Sequence, residues 1–116
     1  MKRDLRVYIE DILESIKKIE EYLEGITKDR FYNETKTQDS IFRRLEIIGE
    51  SAKNVPEEFR KKYPEIPWKS IAGMRDVLIH GYFKVKLERV WKVLEEDLPE
   101  LKKNILKIRK ELNEKN

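Results

Sequence analysis

The side chains best suited to chemistry in this chain fall in one short stretch, Arg75-Asp76-Val77-Leu78-Ile79-His80-Gly81-Tyr82. His80 is the only histidine, and imidazole is the side chain whose ordinary proton exchange falls near neutrality. Arg75 carries a permanent planar cation that suits phosphate. Asp76 and His80 are four residues apart, so on a helix they share a face. A carboxylate there can fix the imidazole tautomer, and it favours the charged ring. Arg75 and His80 are five apart, about 140° around an ideal helix and roughly 7.5 Å along it. A long arginine side chain can close that gap where the last turn loosens before Gly81. Tyr82 follows the turn, where its hydroxyl can reach the same space. Spacing alone also fits a plain helix end, since a histidine followed by glycine is a common C-terminal cap.

These residues need elements to hold them. Leu5, Tyr8, Ile9, Ile12, Leu13, Ile16, Ile19, Leu23 and Ile26 recur at three- and four-residue steps, which predicts a helix from Lys2 to about Gly25 with one apolar stripe. Thr27 to Thr37 reads as a connection with a helical turn around residues 28–32. A second long helix is expected from about Thr35 to Asn54, with Ile41, Phe42, Leu45, Ile48, Ala52 and Val55 inward. Gly49 inside it costs about 1 kcal/mol relative to alanine, and close approach of another backbone would compensate. Pro56 suits the first position of a short helix over residues 57–63. After Pro64 and Pro67, Trp68-Lys69-Ser70 opens a third main helix with Ile71, Met74, Val77 and Leu78 inward, ending near His80 before Gly81. A fourth is expected over residues 85–97, with Leu87, Val90, Trp91 and Leu94 inward. Pro99 marks a new start or a kink, and Leu101, Ile105, Ile108 and Leu112 carry a final helix. No segment has strand periodicity. The expected fold is all-α, an antiparallel bundle of four to five main helices, in one domain over residues 1–116.

Composition narrows the chemistry. The 116 residues contain no cysteine, which excludes a disulfide scaffold, a zinc ribbon and a thiol enzyme. Charged residues make up 42% of the chain, and no apolar run approaches the ~18 residues of a membrane span. Residues 1–4 are not followed by the apolar stretch of a signal peptide, so the expected location is the cytoplasm. The net charge of +3 permits a polyanionic partner without requiring one. Glu46 and Glu50, four apart, resemble half of a metal site, but no second histidine or matching carboxylate helix completes it. No metal and no cofactor is expected. Arg43-Arg44 and Lys61-Lys62 read as solvated basic pairs, and Trp68 and Trp91 as packing residues rather than base-stacking platforms.

The stretch Arg75-x4-His80-x-Tyr82 resembles the Arg-x4–6-His motif of HEPN domains, and most closely the Arg-x4-His-x-Tyr form of HepT-like toxins. The likeness extends to residues 48–56 (Ile-Gly-Glu-Ser-Ala-Lys-Asn-Val-Pro), to Pro67-Trp68, to residues 71–75 (Ile-Ala-Gly-Met-Arg), and to Val90-Trp91 with Leu98-Pro99 and Leu101. It covers essentially the whole chain. The resemblance implies a HEPN-like helical bundle that forms a homodimer, with paired Arg/His sites facing one cleft. It also implies a metal-independent endoribonuclease that acts as the toxin of a type II toxin–antitoxin system. The antitoxin would be an MNT-type nucleotidyltransferase, which in some members adds AMP to the motif tyrosine. On that basis Arg75 and His80 are catalytic, Tyr82 is the modification site and Asp76 is a supporting residue at a position where such proteins often carry asparagine.

Metal-free RNA cleavage needs a base for the 2′-hydroxyl, an acid for the leaving 5′-oxygen and a cation for the phosphorane. One chain has one imidazole, so a two-imidazole scheme requires a second copy. The competing expectation is a non-catalytic HEPN subunit that binds a nucleotide or docks a nucleotidyltransferase, with Arg75 and His80 gripping a phosphate.

Overall fold

The computed structural model describes residues 4–80 and 86–114. Every regular element among the described residues is helical, so the fold is all-α as expected: α1 (Leu5–Leu23), α2 (Lys28–Asn33), α3 (Thr35–Asn54), α4 (Glu57–Arg60), α5 (Trp68–His80), α6 (Leu87–Lys92) and α7 (Leu98–Glu114), with a π-helical turn, Val93–Asp97, between the last two.

Local chemistry sets the ends of these helices. Asp4 precedes α1 in an extended conformation, and its side chain accepts the Arg6 N–H at 2.8 Å, which satisfies one of the donors a helix start leaves open. Beyond α1, Gly25 takes φ +73°, a left-handed value that favours glycine. The turn expected around residues 28–32 is α2. It is capped by the Thr27 hydroxyl, which accepts the Arg30 N–H at 3.1 Å. Gln38 then donates from α3 to the Phe31 and Tyr32 carbonyls at 2.9 and 3.2 Å, closing acceptors that a helix end leaves unpaired.

The core is built around α3. It packs closely against α1 on one side and α5 on the other, while α7 closes over α1. Ile9, Ile12, Ile16 and Ile19 of α1 meet Ile41, Leu45, Ile48 and Ala52 of α3 and Ile105 and Ile108 of α7 in one fully buried cluster. Phe31 brings α2 into it and lies 5.4 Å, ring to ring, from Trp91 of α6, so Trp91 packs as expected.

Two expectations, at Pro56 and at Val77, needed correction. Pro56 is the cap preceding α4 rather than its first residue, and the α4 helix ends at Arg60. The chain continues through tighter turns in which Lys62 and Tyr63 donate to the Phe59 and Arg60 carbonyls. Pro99 marks a new start, as expected: α7 begins at Leu98, and α6 runs into it through the π turn, where the Leu98 N–H reaches back five residues to the Val93 carbonyl. Proline has no N–H for an α-type bond, and a widened turn just before it absorbs the mismatch. Val77, expected inward, is 58% exposed. Ile71, Met74 and Leu78 fall within about 60° of one another on an ideal helix, and Val77 lies about 100° from their centre. Val85 and the Tyr82–Lys84 connection lie outside the described residues.

Candidate active site

Arg75 and His80 are both on α5, and the two ends of that helix are held very differently. The first turn is anchored. Trp68 is buried, and its indole N–H donates to the Tyr63 carbonyl at 3.1 Å. The Tyr63 hydroxyl in turn donates to the Glu111 carboxylate of α7. Burial first, and then the facing Glu111 carboxylate, push the Tyr63 phenol up to about 12. The last turns have no such anchorage. Asp76, Val77, Ile79 and His80 are exposed, and Leu78 is the only buried residue among them.

Arg75 occupies the boundary between these regimes because of Gly49. A Cβ added at Gly49 would stand 2.8 Å from the Arg75 Cβ, 3.0 Å from the Ile71 carbonyl oxygen and 3.2 Å from the Arg75 nitrogen. These approaches are closer than van der Waals contact allows. The glycine that weakens α3 as a helix therefore lets the α5 backbone lie against it at the Arg75 turn. Glu50, the next residue, meets the arginine there: Arg75 Nε lies 2.5 Å from Glu50 Oε2. Arg75 Nη1 donates to Asp76 Oδ1 at 3.2 Å. Sequence reasoning singled out Gly49 for close approach and noticed Glu50 as half of a metal pair and as part of the resemblance over residues 48–56, without linking it to Arg75. The available signal was their adjacency, since whatever backbone Gly49 admits must also meet Glu50.

The Arg75 guanidinium opens onto a groove of about 280 Å³ between α1, α3 and α5. Asp11, Arg43, Glu46, Asn54 and Ile79 also line it. Arg43 Nη1 lies 3.4 Å from Glu46 Oε2, so this cation is tied within its own helix. His80 lies about 140° around α5 from Arg75, on the exposed side. Asp76 shares that side by spacing, but its carboxylate bonds Arg75, and among the described residues nothing hydrogen-bonds the imidazole. The structure thus brings Arg75, Asp76 and Glu50 into contact and leaves His80 at the helix end, open to whatever covers that face. Tyr82 lies outside the described residues. Among the described residues no group of His, Asp and Glu side chains is arranged to hold a metal ion, and no helix is long and apolar enough to cross a membrane.

A family model described as "Ribonuclease HepT-like" matches residues 12–108. A Thermococcus cleftensis protein named "Probable ribonuclease HepT" is 48% identical over 95% of this chain and the whole of its own length. A Methanocaldococcus jannaschii protein named "Gamma-glutamylcyclotransferase and putative RNase" is 51% identical over 97% of this chain, which spans 51% of that relative's length. A Caldanaerobacter subterraneus protein named "Putative RNase" is 43% identical over 89% of the chain and 92% of its own length. No solved structure gives a significant match.

Proposed function

Because the chain belongs to the HepT-like ribonuclease family, we propose that it is a metal-independent endoribonuclease whose Arg75 and His80 cut RNA within a homodimer. The observation that carries this reading is the state of α5. A cationic side chain is held at its middle, an imidazole stands free at its end, and Val77 and Ile79 beside them are 58% and 41% exposed. Apolar side chains left open next to a chemical group suit an interface that also completes a site.

In the proposed reaction the ribose 2′-hydroxyl attacks the adjacent phosphorus. One His80 accepts the proton of that hydroxyl. Arg75 stabilises the extra charge on the phosphorane oxygens. The bond to the 5′-oxygen breaks, and His80 of the partner subunit, or a tyrosine hydroxyl, supplies the proton that the departing oxygen needs. The products are a 2′,3′-cyclic phosphate and a 5′-hydroxyl. The substrate supplies the nucleophile, and both proton transfers and the charge stabilisation are assigned to side chains, so the scheme calls for no ion.

The proposal extends to regulation. The protein serves as the toxin of a type II toxin–antitoxin pair, and an MNT-type nucleotidyltransferase restrains it by attaching AMP to the Tyr82 hydroxyl. The added phosphate would sit two residues past His80 and compete with RNA for the Arg75 cation. Support comes from the motif spacing Arg75-x4-His80-x-Tyr82 and from family membership.

The test is cleavage of a single-stranded RNA in excess chelator. The wild-type chain cuts it, and His80→Ala abolishes cutting while its melting midpoint stays unchanged, as expected for an exposed side chain. Cleavage that survives His80→Ala contradicts the assignment. A wild-type chain that binds nucleotide phosphate without cutting RNA would favour a non-catalytic docking subunit instead.

A further inference from the structure

Glu50 and Arg75 are 25 positions apart in sequence, and the close packing of α3 on α5 at Gly49 joins them. Both oxygens of the Glu50 carboxylate are engaged. Oε2 meets Arg75 Nε at 2.5 Å, and Oε1 accepts from Asn54 Nδ2 at 3.4 Å. Asn54 is itself fixed, because its amide also donates to the Glu50 backbone carbonyl at 2.9 Å. A chain of contacts therefore runs from the end of α3 through a carboxylate to the guanidinium. On the far side Asp76 takes Nη1 at 3.2 Å, and Nη2 has no protein partner among the described residues. The guanidinium is thus paired with one carboxylate at Nε and bonded to another through Nη1, which restricts its orientation, and Arg75 is among the residues that line the groove.

We infer that Glu50 is a positioning residue for Arg75, orienting the guanidinium so that its free Nη2 edge meets a phosphodiester in the groove. This rests on the ribonuclease reading above and adds a residue to it. The charge balance makes the inference specific. Two carboxylates beside one arginine weaken its pull on RNA in solution, so Glu50 does not serve substrate capture. Its contribution must come after binding, when a fixed donor matches the charge that develops on the phosphorane without having to reorganise. Removing Glu50 should therefore lower kcat and leave KM the same or smaller, a split that a residue acting through substrate affinity would not give.

The experiment uses full-length wild type, Glu50→Gln and Glu50→Ala. Each is assayed for RNA cleavage, with rates referred to the folded fraction from thermal melts. The free proteins are also followed by the NMR signal of the Arg75 Nε–H. Glu50→Ala is expected to lower kcat by about ten-fold or more, with KM unchanged or reduced, and to lose the protected Nε–H signal. Glu50→Gln keeps an acceptor in the same place and should retain both the signal and most of kcat. An alanine variant with wild-type or higher kcat would overturn the inference, as would a folded glutamine variant as slow as the alanine one. If the wild type itself fails to cut RNA, the ribonuclease reading falls, and the Nε–H signal still reports whether Glu50 holds Arg75. If the wild type cuts RNA and only the Glu50 effect is missing, the positioning role alone fails.

Discussion

Helices α1 and α5 both present an apolar stripe in the sequence, and the folded chain uses them in opposite ways. Ile9, Ile12, Leu13, Ile16 and Ile19 of α1 are all buried, sandwiched between α3 and α7. In α5 only Trp68 and Leu78 are buried, while Val77 and Ile79 stay open to solvent beside His80. The first helix finds all its partners within its own chain. The second finds partners for its inner face only, and its outer face combines apolar side chains with the imidazole. Stability is thus concentrated in the packing of α1, α3 and α7, and the end of α5 is left to meet something else.

The comparison can be tested by substitutions on either side. The largest effect on folding is expected at Ile16, which is 1% exposed. Truncation to alanine there should cost about 2–5 kcal/mol, the sum of lost transfer energy and the cavity left behind, and urea unfolding would measure it. A smaller effect is expected at the anchored start of α5. Tyr63 is raised from 10.0 to about 12 by burial and by Glu111, so the folded chain keeps the phenol proton over a range where the unfolded chain releases it. Its contribution is therefore fully present below pH 10 and is lost as pH rises through 12. Tyr63→Phe should cost about 1 kcal/mol at neutral pH and flatten the decline of stability between pH 10 and 12, which melts across that range would show. The smallest effect on folding belongs to the outer face of α5. Val77→Ser with Ile79→Ser should change monomer stability by only about 0.5 kcal/mol, yet shift the mass measured by light scattering from dimer to monomer and abolish cleavage. A double variant that stays dimeric would show that this face is not the contact.

Much of this arrangement was legible in the sequence. The bounds of α3 were readable because polar residues open it at Thr35 and Asn54 and Pro56 close it. The start of α5 followed from Pro67-Trp68. Gly49 carried the most information: its cost inside a helix implied a close neighbour, and that neighbour is the Arg75 backbone. What was not legible depended on contacts between distant positions. The Glu50–Arg75 pair, the Tyr63–Glu111 bond and the Gln38 donations across the turn leave no periodic trace. Val77 misled because an apolar residue three positions after Met74 fits the helical repeat, and only the packing of α3 shows which edge of the stripe remains uncovered. The π turn before Pro99 was likewise hidden, since proline announces a missing donor but not how the chain absorbs it.

In the proposed mechanism the exposed end of α5 cuts RNA by using the substrate's own 2′-hydroxyl. Mass spectrometry of the fragments produced in excess chelator by wild type and by His80→Ala tests it most directly. Wild-type fragments should end in a 2′,3′-cyclic phosphate and begin with a 5′-hydroxyl, and the variant should give none. Fragments with 3′-hydroxyl and 5′-phosphate ends, or cyclic phosphate ends made equally well without His80, would contradict it.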